Sequence, residues 1–390
     1  MKTLSQSPTD PAFVQNPYPF YETARAQGPL FYWADYGLPC TGDAATVSAI
    51  FRDRRFGREA PPEHAPAVPA HLAPFYAVEA HSMLELEPPR HTRLRGLVLR
   101  AFTSRRIAAL APEIAALSHD LIGALPTGGF DLLPHFASKL PVIIIARLLG
   151  VPESMSDDLL RWSNAMVGMY MANRSPQAET RAIAATESFT DFLHGYINDR
   201  RAKPADDLIT HLIAANDEGD RLTTDELIST CILLLNAGHE ATVHTIGNGV
   251  KILMETATFI TPQTAPQTVE EILRFDPALH MFTRWIYEDV TIAEHPFHRG
   301  DRVGLLLAAA NRDPAVWRNP AQFDPTRPLK PHTSFGAGLH FCVGAPLARL
   351  ELQIVLPILF QRLPNLRLAA QPEYADVYHF HGLKSLHVLP

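Results

Sequence analysis

Apolar residues recur at three- and four-residue spacing through most of the stretch from His91 to Asn236, as they do in helices with one face on a core. Leu140–Leu149 and Asp157–Met171 carry this pattern most clearly, and Asn173–Pro176 and Arg201–Asp207 break it. Thr223-x-x-Glu226 is a capping box that opens a further helix. Nothing stops that helix before Thr256, which predicts a rod of about 33 residues and about 50 Å. Helices are also predicted over Gln267–Phe275 and Ala345–Phe360. The second has Pro346 in its first turn, where proline's missing N–H does no harm.

Strand-like segments are fewer and shorter. Leu30–Trp33 and Leu38–Cys40 flank Asp35-Tyr36-Gly37 and predict a hairpin. Trp285–Ile292 and Val303–Leu307 read as strands, and Val377–Leu389 as a terminal hairpin. Pro11–Gly28 reads as a loop and a short helix, Pro61–Pro74 as a flexible loop, and Asp313–Lys330 as irregular. There is no internal repeat and no linker. The expectation is a mainly α fold: one α-helix-rich domain over residues 1–390 with a minor β region.

Composition narrows the class. An apolar content of 46% and a charged content of 19% exclude a disordered chain, and 390 residues can bury a large core. A net charge of −7 offers no basic footprint for nucleic acid. Cys40, Cys231 and Cys342 are too far apart for a disulfide framework or a CxxC metal pair, which suits a reducing cytoplasm. The first 21 residues hold no apolar h-region, and no run of about 20 apolar residues occurs, so neither a signal peptide nor a membrane span is expected.

The candidate chemistry centres on Phe335-Gly-Ala-Gly-Leu-His-Phe-Cys-Val-Gly344. Cys342 ends a glycine-rich loop and precedes a helix, whose N-terminal amides favour a thiolate and are expected to lower its pKa. Gly336, Gly338 and Gly344 permit close backbone approach. A thiolate offered from such a loop suits a single iron. The stretch resembles, position by position, the haem-binding loop of the cytochrome P450 family, with Phe335, Gly338, His340 and Gly344 at the pattern's fixed places. Cys40 and Cys231 read as small buried hydrophobes.

The resemblance extends over essentially the whole chain. Glu271 and Arg274 share one helix face and can pair. With Glu271 lying 71 residues before the cysteine, the pair resembles the family's buried structural ion pair. His91 and Arg95, at i and i+4, match the segment that holds the haem propionates, and Arg284 and His340 match two further contacts; Arg93 is expected to point elsewhere. Ala237-Gly-His-Glu-Ala-Thr242 interrupts the apolar run of the long helix. By resemblance this segment crosses the distal face of the haem, Gly238 makes room at a bulge, and Glu240 is the acid of the proton-delivery pair. The alcohol that normally follows is Ala241 here, and Thr242 is rotated about 100° away, so a water or a substrate hydroxyl must bridge. His239 is expected to face outward, and no grouping of two histidines and a carboxylate stands out. The resemblance nominates Met83, Leu84, Met166, Met169, Leu234, Ala237, Met281, Phe282 and Phe380 as substrate-pocket lining.

What the resemblance implies is a soluble bacterial-type haem-thiolate monooxygenase. It would hold haem b through Cys342 and use dioxygen to oxidise, by hydroxylation first of all, a small apolar organic substrate. With no flavin, nicotinamide or iron–sulfur fingerprint in the chain, electrons would come from a ferredoxin and its reductase. Arg93, Arg100 and Arg349 are candidate docking residues. The alternative outcomes are coupling, desaturation or rearrangement without net hydroxylation, or a haem sensor or carrier without turnover.

Overall fold

A computed structural model describes every residue except 172, 173, 216–218 and 379. The capping box forms as expected. Thr223 Oγ1 accepts from the Glu226 amide at 3.2 Å, and the Glu226 carboxylate accepts from the Thr223 amide at 2.8 Å. Five helices frame the site: α1 (Arg90–Ala101), α2 (Lys139–Leu149), α3 (Thr224–Glu255), α4 (Ala265–Phe275) and α5 (Ala345–Arg362). α3 packs against α2, α4 and α5, and the shared core takes Ile144 and Leu149 from α2, Leu235 and Ile246 from α3, Val269 from α4 and Leu352 from α5. α2 ends at Gly150, whose φ of +83° is the left-handed turn that closes many helices.

The β region is a six-stranded sheet plus smaller pieces. Its strands are β1 (Lys2–Leu4), β2 (Phe31–Trp33), β3 (Leu38–Thr41), β4 (Phe56–Gly57), β5 (Met281–Ile286) and β6 (Arg302–Leu306), in the order β1-β2-β3-β6-β5-β4. β1–β2 and β3–β6 are parallel and the other pairs antiparallel. Arg284 lies opposite Val303 in the β5–β6 register. Two smaller apolar clusters pack on this sheet, one of them the aromatic group of Phe13, Tyr21, Phe31 and Trp33.

Several expectations change. The tail is not a local hairpin: His387–Leu389 pairs with Phe130–Asp131 and Arg367–Leu368, partners that alternation within the tail cannot reveal. The single strand expected over 285–292 is split between β5 and a separate hairpin of Val290–Ile292 with His295–Phe297. The 61–74 loop holds two short 3-10 turns and runs into a helix, Ala73–Glu79. Two short helices, Pro11–Gln15 and Tyr18–Arg25, stand where one was expected. At the 173–176 break, Asn173 lies outside the described residues, and Pro176 opens the helix Pro176–Ala202. Among the described residues no helix is long and apolar enough to cross a membrane.

Candidate active site

The Cys342 loop folds around a 3-10 turn, Gly338–His340, and is closed by the Cys342 amide donating to Phe335 O at 3.0 Å. Gly338 has φ +68°, and a Cβ there would lie 2.1 Å from Phe51 O, so only glycine fits. Gly336 shares the left-handed backbone at φ +66°. Gly344 does not: its φ is −82°, and an added Cβ would make an ordinary 3.8 Å contact with Cys342 Sγ. The sulfur faces the amides of Gly344 and Ala345 and the guanidiniums of Arg95 and Arg349. Burial nevertheless pushes the Cys342 thiol above its ordinary value, correcting the expected depression. Desolvation of the thiolate outweighs amides and guanidiniums together, and a metal cation on the sulfur would reverse that balance.

A cationic wall stands beside this loop. His91 on α1 is buried, and its ring centroid lies 4.3 Å from that of His340. Burial, with His340 and Arg95 close by, lowers its pKa to about 4, and its Nδ1 has no partner. One turn along α1, Arg95 donates to Phe341 O at 2.6 Å. Arg284 on β5 is 4% exposed. Its side chain donates to Thr283 O at 2.9 Å and lies over the Phe51 ring at 4.9 Å. Burial and the nearby Arg58 bring its pKa down to about 9. Among the described residues neither Arg95 nor Arg284 forms an ion pair. Glu87 and Glu85 are the nearby anions, and both are already taken up, Glu87 by His340 Nε2 at 2.9 Å and the Arg58 amide at 2.7 Å, Glu85 by the Arg58 guanidinium. Buried cations without counter-ions are costly. A metal-centred ligand with carboxylates at its edge would satisfy sulfur, guanidiniums and the orphaned imidazole together, and haem b has that chemistry.

α3 is buried on most sides but open along Leu233, Ala237, Gly238, Ala241 and His244. The expected bulge is absent: α3 is α-helical throughout 224–255, and a Cβ on Gly238 would make only a 3.8 Å contact with Ile145. His239 does not face outward. It is 2% exposed with both ring nitrogens unpartnered, and burial brings its pKa to about 4. Glu240 Oε1 accepts from His244 Nε2 at 3.2 Å. Burial raises the Glu240 pKa, but that bond and the charges of His244 and His239 more than cancel it, leaving the carboxyl below its ordinary value. The Thr242 hydroxyl donates to Gly238 O at 2.9 Å, turned back along the helix.

Glu271 and Arg274 pair side by side, with both N–O distances 2.7 Å and both residues buried. Arg274 also donates to the carbonyls of Asn311, Pro320 and Gln322, and Glu271 accepts from Arg327 at 3.1 Å and from the Asp324 amide at 2.9 Å. The network pins the irregular 311–327 segment to α4. The pocket candidates divide. Met83, Met166, Met169 and Leu234 lie in the main core, and Met281 packs with Trp33 and Cys40 under the sheet. Leu84, Ala237, Phe282 and Phe380 keep exposed surface. Arg93 points away as expected, to Asp220 and Glu226, and Arg349 pairs with Glu270 at 2.5 Å, so neither offers an unpaired charge for docking.

One constellation escaped the sequence. Asp276, His280 and His381 converge as a buried group of two histidines and a carboxylate. The carboxylate already accepts from Tyr18 and Tyr374, both at 2.6 Å, and from His381 at 3.1 Å. Its geometry is that of a hydrogen-bond network tying the end of α4 to the C-terminal turn and the 18–25 helix. Asp276 and His280 were visible at i and i+4, but His381 comes from the far end of the chain.

Comparison with known proteins places this geometry. The family model described as Cytochrome P450 matches residues 264–373, which include Glu271, Arg274 and Cys342. The biotin biosynthesis cytochrome P450 of Bacillus subtilis (strain 168) is 35% identical over 396 residues, covering 99% of each chain. Vitamin D(3) 25-hydroxylase of Pseudonocardia autotrophica is 38% identical over 380 residues, covering 92% of this chain and 89% of that protein. Among solved structures, P450BioI in complex with a hexadec-9Z-enoic acid ligated acyl carrier protein superposes with a TM-score of 0.91 at 34% identity, covering 97% of this chain and 99% of that one.

Proposed function

This chain belongs to the cytochrome P450 family, and from that premise we propose how its residues carry a monooxygenase reaction and on what class of substrate. The cofactor is haem b, which when bound supplies the redox chemistry that activates dioxygen. The observation that carries the assignment of roles is that Cys342 lies beside the Arg95 guanidinium while Arg284 is buried over Phe51, which packs on the cysteine loop, and neither arginine forms an ion pair among the described residues. Cys342 provides the thiolate ligand to iron. His91, Arg95, Arg284 and His340 hold the two carboxylates, and Phe335, Gly336 and Gly344 shape the loop that presents the sulfur. Glu271 and Arg274 are structural. Residues 1–390 act as one domain.

On α3, Ala237, Gly238 and Ala241 present small side chains to the reaction space, and Glu240 passes protons into it. Thr242 cannot replace the missing alcohol, because its hydroxyl is turned back onto Gly238 O. A water, or a hydroxyl of the substrate, bridges from Glu240. Leu84, Phe282 and Phe380, with Ala237, surround a small apolar organic substrate whose hydroxylation is the outcome. Electrons come from a ferredoxin and its reductase in the cytoplasm.

The test is a spectral titration of the purified ferric protein with a panel of apolar compounds. A saturable low-spin to high-spin shift, followed by hydroxylated product in the presence of a surrogate ferredoxin system, is expected for compounds of the right class. Shifts only with carrier-tethered acyl chains, of the kind held by the P450BioI structure, would replace the free apolar substrate with a tethered one.

A further inference from the structure

The group upstream of Glu240 is visible in the structure. α3 carries His239, Glu240 and His244 on adjoining faces, and His244 Nε2 is 3.2 Å from Glu240 Oε1, one helical turn away. Glu240 Oε2 lies 3.7 Å from His239 Nδ1. The two hydroxyls of this turn are directed elsewhere, Thr242 to Gly238 O at 2.9 Å and Thr245 to Ala241 O at 2.7 Å. His244 is therefore the titratable side chain hydrogen-bonded to the acid. Its position is enforced from the opposite side: a Cβ on Gly382 would lie 1.8 Å from His244 Nδ1, so glycine in the C-terminal turn is what admits the ring. The Phe380 ring covers it at 5.6 Å between centroids. His244 Nδ1 is buried with no protein partner.

We propose that His244 is the proton donor to Glu240, so that this chain feeds its acid through an imidazole on the helix turn that lacks the alcohol. The inference rests on the role given to Glu240 above. Protonated His244 gives its Nε2 proton to Glu240 Oε1: one N–H bond breaks, one O–H bond forms, and no electron moves. Glu240 passes the proton into the reaction space and returns to carboxylate, and the neutral imidazole takes its next proton from water. The titratable groups facing Glu240 are His239 and His244, both from α3, whereas the C-terminal turn presents Phe380 and Gly382, which carry no charge. The lowered pKa of Glu240 agrees with a donor held against it.

The experiment compares the haem-loaded wild type with His244→Gln, His244→Phe and Glu240→Gln. Gln keeps a donor for Glu240 but cannot titrate. In His244→Gln, the proposal expects an unchanged carbon-monoxide band and substrate-induced spin shift, product formation reduced about 100-fold, and a larger share of reducing equivalents lost as peroxide. Infrared spectroscopy gives a readout apart from turnover. A protonated-carboxyl band, identified by its absence in Glu240→Gln, should be missing from the wild type at neutral pH and present in His244→Phe, where only His239 is left to oppose the effect of burial on the acid. Wild-type coupling and an unchanged pH profile in His244→Gln would overturn the proposal. So would the same carboxyl band in wild type and His244→Phe. A wild type with neither the carbon-monoxide band nor product would instead indict the family-level roles.

Discussion

At the scale of single residues, charge and burial decide more than identity. Arg284 is an arginine in a sheet, yet its near-complete burial with no ion pair among the described residues is what makes it informative. Replacing it with Met should leave the fold and the thiolate band intact while haem is lost to a haem scavenger about 10- to 100-fold faster, as expected for one charge-assisted contact. Ala241→Thr tests the missing alcohol. Peroxide release per electron pair should fall several-fold or product turnover should change, and identical values for both would remove the water- or substrate-bridged relay. His239 gives a pH prediction. Its pKa is lowered in the fold to about 4 by burial, so the unfolded chain holds more protons between about pH 6.5 and 4. Its contribution to stability is complete above about pH 6.5 and is lost as pH falls toward 4. Urea midpoints measured from pH 7.5 to 5 should therefore decline, and His239→Leu should flatten that decline.

At the scale of elements, the sequence was legible where a signal is local. α3 begins at Thr224 because Thr223 and Glu226 satisfy each other's amides, and two residues three apart suffice to show it. Thr223→Ala should lower stability by about 1 kcal/mol in denaturant melts without changing the haem spectrum. The cysteine loop was legible for the same reason. Gly338→Ala, which would press a methyl group into Phe51 O, should yield protein with little haem by absorbance. The tail strand and the split of 285–292 were not legible, because their partners lie in distant segments. The bulge expected at Gly238 rested on resemblance, and the helix runs through it unbroken. Met83, Met166 and Met169 are buried in the main apolar cluster, and a side chain filling a core and one lining a cavity draw on the same apolar alphabet.

At the scale of the molecule, two buried polar networks fasten helices to irregular chain. Glu271 and Arg274 fix the 311–327 segment that leads to the cysteine loop, and Asp276 gathers Tyr18, Tyr374 and His381 at the other end of α4. Arg274→Ala takes the bidentate partner from buried Glu271, leaving it only Arg327 and the Asp324 amide, a loss of up to about 3–5 kcal/mol, and should give little haem-loaded protein. The first network could be read from an i, i+3 pair, but the second needed the fold. The central proposal is that this architecture presents Cys342 to iron beside a cationic wall. The most direct test is the carbon-monoxide spectrum of the dithionite-reduced protein, wild type beside Cys342→His. The wild type should show the strongly red-shifted band of a thiolate-ligated haem, and the variant should keep haem but lose that shift. An unshifted wild-type band, or a shift that survives the substitution, would contradict Cys342 as the ligand.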